Sequence, residues 1–468
     1  MWRRFWKMQD DVIYGIILVV SFGIGLFVRQ ITDPDRKRLL CSIAGAVLAV
    51  VNCHIHIYHS LVLVIGSCLL IKICGPRKCQ LFGYIWCFGY LVFFRTCHHF
   101  GLPKPSPVSN ALQLFLTLKL VALGFEIHDT HELSKKGDTQ EEEESTLQRK
   151  YRSIYPSSLD ILQYSYCYIG LFTGPYYKYR TYEDFIQNRN SPNIPVKEFV
   201  IERLKYIPVI AVTFLGMSHF FSIQYVETEE FFEHPFWFRL FYMVPMFMIF
   251  RTRLYMAWLV SESMCMTSSL GAYPVEAKAK YGQGPTDLSG LDQSLSTSKS
   301  DQKYDYQTVY NLSIYGCELG RTTREGLRSW NMTVQYWLAA FVHRRIPKHL
   351  KSYGVAITMA VSAFWHGIHP GYYLSFMLVP VIVFAEDAMI SAFRKNSSEQ
   401  IQYWFDWACL FFKMRGFDYM CMGFLLLKLD LTLAYWQSIF FIGHLVPILF
   451  IIISKIFKPK RKKEEKKE

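Results

Sequence analysis

Runs of apolar residues recur along almost the whole of this 468-residue chain, and they are too many for one water-soluble core. That feature restricts the fold more than any other. In hydrocarbon no water is available to the backbone, so each N–H and C=O must be satisfied within the chain, and helices are the natural way across. A helix needs about 20 apolar residues to span a bilayer. Only 19% of the residues are charged, against about 25% in an ordinary soluble domain. The pattern predicts an all-α, polytopic transmembrane helix bundle with about 10–12 spans. No stretch outside the apolar runs is long enough for a separate soluble fold, so residues 1–468 read as a single integral-membrane domain.

The candidate spans begin at Val12–Val28, Leu39–Val51, Ile57–Ile73, Leu81–Phe100 and Val108–Ile127. Leu159–Thr173 reads as a shorter buried helix. Leu204–Ile223, Phe236–Phe250 and Leu254–Leu270 form a middle group. Trp330–Val342, Val355–Phe364, Tyr372–Ile390, Trp404–Phe412, Tyr419–Tyr435 and Ile439–Phe457 complete the series. Two stretches, 130–152 with its four successive glutamates from Glu141 and the Gly/Ser/Asp/Gln-rich 282–303, read as polar loops. The tail 455–468 is dense in lysine and arginine and is expected in the cytosol. Trp2 to Lys7 precedes the first apolar run without a small-residue cleavage site after it, which predicts an uncleaved first span.

The net charge of +13 flanks apolar runs. It points to anionic headgroups or a polyanionic cofactor ahead of nucleic acid, or else is the topology signal of cytosolic loops. The 12 cysteines are scattered with no Cys-x-x-Cys, so neither a zinc site nor a disulfide framework is indicated.

Two polar residues stand out inside apolar, aromatic stretches: Asn331, directly after Trp330, and His366, directly after Trp365. Ionisable and polar groups at membrane depth are costly and usually face a cavity or a partner. An imidazole can take a proton from a hydroxyl near neutral pH. A carboxamide can orient an oxygen or stabilise an oxyanion. Gly367 permits close approach of another backbone, and Pro370-Gly371 breaks the helix beyond His366. The bland alternatives are a histidine bonded inside a helix bundle and an asparagine joining two helices. Asn331-Met332-Thr333 is formally a glycosylation sequon, expected to be inaccessible within an apolar helix. Together the two residues suit acyl transfer to an alcohol in a membrane.

Further stretches carry a resemblance. They are Gly101 to Pro105, the block Tyr164 to Tyr182, Gly271 to Val275, Tyr304 to Tyr306, Trp330 to Gln335, Trp365-His366-Gly367, and Phe412 to Gly423. In these the chain resembles the membrane-bound O-acyltransferases, within them the lysophospholipid branch, and especially the lysophosphatidylinositol acyltransferases. The resemblance implies a central reaction chamber; an endoplasmic-reticulum location is expected from the basic tail, which resembles a lysine-rich retrieval tail although Glu465 to Glu468 do not fit the usual dilysine spacing. The resemblance implies His366 and Asn331 as the catalytic pair. It also implies transfer of a polyunsaturated acyl chain, arachidonoyl above all, from acyl-CoA as co-substrate to the sn-2 hydroxyl of a lysophospholipid, with no metal or bound cofactor.

Substrate-binding candidates follow from charge and aromaticity. Trp330 and Trp365 would wall the site. Arg344, Arg345 and Lys348 are candidates for the CoA phosphates. Tyr176, Tyr177, Lys178, Tyr179 and Arg180 are candidates for the lipid headgroup, or else an aromatic belt with snorkelling cations. Glu386 and Asp387 lie in an apolar run and serve either substrate or helix pairing. Two other function classes remain. The pairs His56/His59, His128/His131 and His366/His369 share the i,i+3 spacing of a membrane desaturase or hydroxylase, but lack boxes ending in adjacent histidines. A lipid transporter or scaffold would bind lysolipid without consuming thioester.

Overall fold

Helix ends in this protein follow from turn chemistry. Asp33 accepts a hydrogen bond from the Arg36 N–H, and Pro34 opens the helix Pro34–Cys53; both are favoured at an N-terminus. The next helix, Ile57–Thr96, is bent at Gly75 (φ 61°). Pro76 has no N–H to continue the ladder there, and glycine adopts the left-handed backbone without a steric penalty. Helix Pro107–Gly137 packs along it. The computed structural model describes residues 2–137, 154–296, 302–395 and 397–457.

The chain divides into two compact units. The first comprises 1–209, 255–312 and 331–345. Its interior holds the fully buried rings of Tyr164, Tyr168, Tyr176, Tyr177, Tyr182 and Tyr306. Buried lysines here are hydrogen-bonded. Lys37 is buried and donates to the Asn188 carbonyl and the Ser191 hydroxyl, both at 2.9 Å, as a buried ammonium requires. The stretch expected as a helix over Leu159–Thr173 is helical only over Ser158–Ser165. Gly170 (φ 68°) and Gly174 (φ 80°) take left-handed backbone and Pro175 follows, so the remainder is a buried, irregular segment.

The second unit comprises 210–254, 313–330 and 346–468. Helix Pro370–Met389 packs on Gly354–His366, Glu399–Leu426 and Ile442–Phe457. The core includes Phe231, Tyr242, Met246, Leu378, Tyr419, Met422, Tyr435 and Trp436.

Several expected boundaries change. Phe236–Thr267 is one helix, not two spans. Arg251, whose charge suggests a break, is paired with Glu318 at 3.1 Å and lies over the Phe247 ring. Glu399–Leu426 is likewise one helix. It is continuous because Lys413 donates to the Cys317 and Gly320 carbonyls at 2.8 Å and Arg415 pairs with Asp418 at 2.7 Å. It ends at Leu427 (φ 65°), and Leu429–Ser438 follows.

The loop expected over 130–152 is helical through residue 137; residues 138–152 lie outside the described residues. Within 282–303, Leu288–Ser296 is helical. Asp287 accepts the Gly290 N–H at 2.9 Å, and that bond, with Lys278, holds its carboxyl below the usual range. Of the basic tail only 455–457 is described, as the end of helix Ile442–Phe457.

Among the described residues, five stretches are long and apolar enough to cross a membrane, or six if the bent pair Leu429–Ser438 and Ile442–Phe457 is one span. That is fewer than the apolar runs suggest. One stretch, Pro34–Phe100, is 67 residues long and includes two breaks, and helices such as Gly354–His366 are only 13 residues long. Side chains such as Val212, Leu215 and Phe220 are more than half exposed on a largely unburied apolar helix. An outward apolar surface of this extent suits lipid, not water.

Candidate active site

His366 is the last residue of helix Gly354–His366, and Gly367 follows. A side chain at 367 would meet the Tyr372 ring, which would have to move to admit it. The imidazole is half-buried in an aromatic wall within the second unit. Phe376 stacks on it at 5.1 Å (23°), Phe424 meets it edge-on at 5.1 Å, Trp365 lies at 4.7 Å and Tyr372 at 6.0 Å. The array continues from Phe424 to Phe250 at 5.2 Å and from Phe250 to Trp330 at 6.2 Å. Phenyl rings offer no hydrogen bond; they fix the plane of an imidazole and exclude water from it. Trp330 and Trp365, both expected as walls, thus belong to one array with His366.

Asn331 is in the first unit. It has left-handed backbone (φ 48°, ψ 53°) and immediately precedes helix Met332–Phe341. Non-glycine residues seldom adopt this conformation, asparagine more readily than most. Its carbonyl accepts the Val334 and Gln335 N–H groups, but its carboxamide does not cap the helix. Another asparagine does so. The Asn311 carbonyl accepts the Met332 N–H at 2.8 Å, and Asn311 Oδ1 accepts the Thr333 N–H at 3.1 Å and the Thr333 hydroxyl at 2.7 Å. The Thr333 hydroxyl also accepts the Tyr176 N–H at 2.9 Å. Thr333 is fully buried and committed on both sides, which closes the sequon to glycosylation.

The Asn311 segment is itself anchored. The fully buried Glu262 accepts the Asn311 and Leu312 N–H groups at 2.7 and 2.8 Å and pairs with Arg203 at 2.6 Å. Arg203 also donates to the Leu312 carbonyl at 3.1 Å and lies over the Tyr310 ring. Arg203, Glu262 and Asn311 were not among the residues expected from sequence. The available signal was Glu262, an acid inside the apolar run after Leu254.

Lys178, Arg180, Arg344 and Arg345 line one cavity of about 460 Å³ in the first unit, with Glu126, Asp129, Gln283 and Tyr336. Arg345 pairs with Asp129 and Arg180 with Asp184. Glu126 is occupied by the Tyr179 and Arg180 N–H groups at the start of helix Tyr179–Gln187. Lys178 lies over the Tyr336 ring at 5.4 Å. Neither it nor Arg344 has an ion-pair partner among the described residues. Lys348 does not line the cavity. Tyr177 departs from expectation: it is fully buried, and its hydroxyl donates to the Ile169 carbonyl at 2.7 Å and accepts from Lys119 at 3.2 Å.

Glu386 also has a different place. Its carboxylate accepts the Thr323 N–H at 2.9 and 3.0 Å and the Thr323 hydroxyl at 3.3 Å, capping helix Thr323–Ser329. Asp387 pairs with Arg324 at 2.6 Å. Glu386 lies on the edge of an apolar cavity of about 560 Å³ in the second unit, whose walls include Leu240, Met243, Ile382 and Phe412. Of the histidine pairs, His59 bonds Tyr90 at 2.9 Å and His128 bonds the Pro76 carbonyl at 3.1 Å. Among the described residues no three His, Cys, Asp or Glu side chains converge as metal ligands.

The model of the membrane-bound O-acyltransferase family matches residues 105–427, a span that includes both Asn331 and His366. The chain is similar to the membrane-bound acylglycerophosphatidylinositol O-acyltransferase of Xenopus laevis, 42% identical over 466 residues, 98% of each chain. It is 40% identical to the Homo sapiens enzyme of that name over 439 residues, 94% of this chain and 92% of that one. The Drosophila melanogaster enzyme is 33% identical over 449 residues, 93% and 90% of the two chains.

Proposed function

Because the chain belongs to the membrane-bound O-acyltransferase family, we propose that this multi-pass membrane acyltransferase uses acyl-CoA to acylate the sn-2 hydroxyl of lysophosphatidylinositol. The observation that carries the acceptor is near-full-length likeness to enzymes named for acylglycerophosphatidylinositol. The proposed donor carries a polyunsaturated chain, arachidonoyl above all. The reaction needs no metal or prosthetic group. The proposed location is the endoplasmic reticulum, with the basic tail in the cytosol.

His366 is the proposed general base. It takes the sn-2 hydroxyl proton as the oxygen attacks the thioester carbonyl. The tetrahedral oxyanion collapses, the C–S bond breaks, and the proton on His366 passes to the departing CoA sulfur. The rings of Phe376, Phe424 and Trp365 hold the imidazole for this work. Asn331 is proposed to orient the hydroxyl or donate its carboxamide N–H to the oxyanion. One feature supports its assignment: its carboxamide is not used as a helix cap. Lys178 and Arg344, which form no ion pair among the described residues, are the proposed anchors for the donor's phosphates.

Assay of the purified enzyme with a panel of lysolipids and acyl-CoAs tests the reading. The inositol headgroup and arachidonoyl donor should give the highest kcat/KM. Equal rates with choline and inositol headgroups would remove the acceptor assignment and leave the acyltransferase. His366→Ala should lower kcat by about 10²–10⁴-fold, the usual contribution of a general base. Intact turnover in that variant would remove the base.

A further inference from the structure

We infer that Asn311, anchored by the Glu262–Arg203 pair, is a positioning residue that leaves the Asn331 carboxamide free for the reaction. The inference rests on the proposed role of Asn331.

An asparagine just before a helix ordinarily spends its side-chain oxygen on the N–H groups of the first turn. Here those groups are taken from elsewhere. The Met332 N–H goes to the Asn311 carbonyl and the Thr333 N–H to Asn311 Oδ1. The orientation of the Asn311 amide is settled by its partner: Thr333 N–H is a donor, so the oxygen and not the nitrogen must face it. Asn331 is therefore relieved of capping. Its left-handed backbone is held by bonds on both sides, through its own carbonyl to Val334 and Gln335 and through Met332 and Thr333 to Asn311.

Asn311 can act this way only if its own backbone is fixed, and one buried carboxylate does that. Glu262 binds two consecutive N–H groups, Asn311 and Leu312, and its charge is matched by Arg203. A buried ion pair costs desolvation and is weak evidence for stability alone. An ionisable residue within a membrane helix is by default a functional one, with its partner named. The network also reaches the segment that carries the basic cavity, because Thr333 Oγ1 accepts the Tyr176 N–H two residues before Lys178.

The test is kinetic, on full-length enzyme quantified as folded protein. Asn311→Ala should lower kcat by about 10–100-fold with KM for both substrates little changed, the cost of a misplaced reacting group. The double variant Asn311→Ala/Asn331→Ala should be no slower than Asn331→Ala alone, because one residue acts through the other. Thr333→Val, which removes the hydroxyl that holds Asn311 Oδ1, should lower kcat in the same sense, and Thr333→Ser should restore it. This second pair decides the matter if Asn311→Ala does not fold. Normal kcat per folded molecule in Asn311→Ala or Thr333→Val, beside an inactive Asn331→Ala, would overturn this inference alone. Additive losses in the double variant would do the same. Full turnover in Asn331→Ala would overturn the premise as well.

Discussion

Replacing Glu386 separates a substrate contact from a helix cap. Both carboxylate oxygens lie within 3.0 Å of the Thr323 N–H, and one lies 3.3 Å from the Thr323 hydroxyl. Thr323 is 1% exposed, so water cannot replace a lost partner. Glu386→Ala leaves that buried N–H unsatisfied, at about 1–3 kcal/mol. It also removes an anion from a helix N-terminus, at about 0.3–1 kcal/mol. The sum is a loss of about 1.3–4 kcal/mol. Glu386→Gln keeps one acceptor oxygen and loses only the charge, so its loss should be about 1 kcal/mol. Tryptophan fluorescence on heating the detergent-solubilised enzyme reads the stability, and initial rates per folded molecule read the chemistry. Expected are a clear fall in melting temperature for Glu386→Ala, a small one for Glu386→Gln, and a rate for Glu386→Gln within about threefold of wild type. A Glu386→Gln enzyme that melts normally but turns over ten or more times slower, as about 1.4 kcal/mol of lost transition-state binding, would refute the capping argument and return Glu386 to the substrate.

Gly367→Ala should push the Tyr372 ring away from His366, since the new Cβ would lie 2.8 Å or less from that ring; kcat should fall by about tenfold, and unchanged kinetics would show that the Tyr372 wall is dispensable. The double variant Lys178→Gln/Arg344→Gln should raise KM for acyl-CoA with kcat nearly unchanged and weaken its dependence on salt; an unchanged KM would remove the cavity from donor binding. Lys413→Met leaves the Cys317 and Gly320 carbonyls without their donor and should cost about 1–3 kcal/mol in thermal unfolding; equal melting would show that water replaces the ammonium.

Asn331 and His366 stand out in the sequence because each is a polar residue behind a tryptophan in an apolar stretch, a local signal. What surrounds them depends on contacts that no local pattern carries. Lys178 and Arg180 are far in sequence from Arg344 and Arg345, and charge alone assigned them to two different substrates. They line one cavity because the chain near Tyr176 is bonded to Thr333 at the start of the helix that leads to Arg344. Tyr177 read as a headgroup ligand because tyrosines beside cations often sit at an interface, yet its hydroxyl is spent on Ile169 and Lys119. The expected breaks at Arg251 and near Lys413 failed for a related reason. A charge interrupts an apolar run in hydropathy, but it does not interrupt a helix whose neighbours supply the opposite charge or the carbonyls it needs.

The same accounting sorts the ionisable residues of this fold. Each buried group has a fixed number of donors or acceptors, and an unmet one is expensive. Glu262 is spent on two N–H groups and Arg203, Glu386 on Thr323, Lys37 on Asn188 and Ser191, and Lys413 on two carbonyls. Such groups hold segments together, and their removal should act first on stability. Lys178 and Arg344 form no ion pair among the described residues, Lys178 acting on Glu126 only through space, and Asn331 has not spent its carboxamide on the helix it precedes. Their removal should act on kinetics at constant stability. Burial alone does not separate the two groups, since Glu386 is half-buried like Lys178 and Asn331. What separates them is whether the protein itself has already claimed their hydrogen bonds and charge.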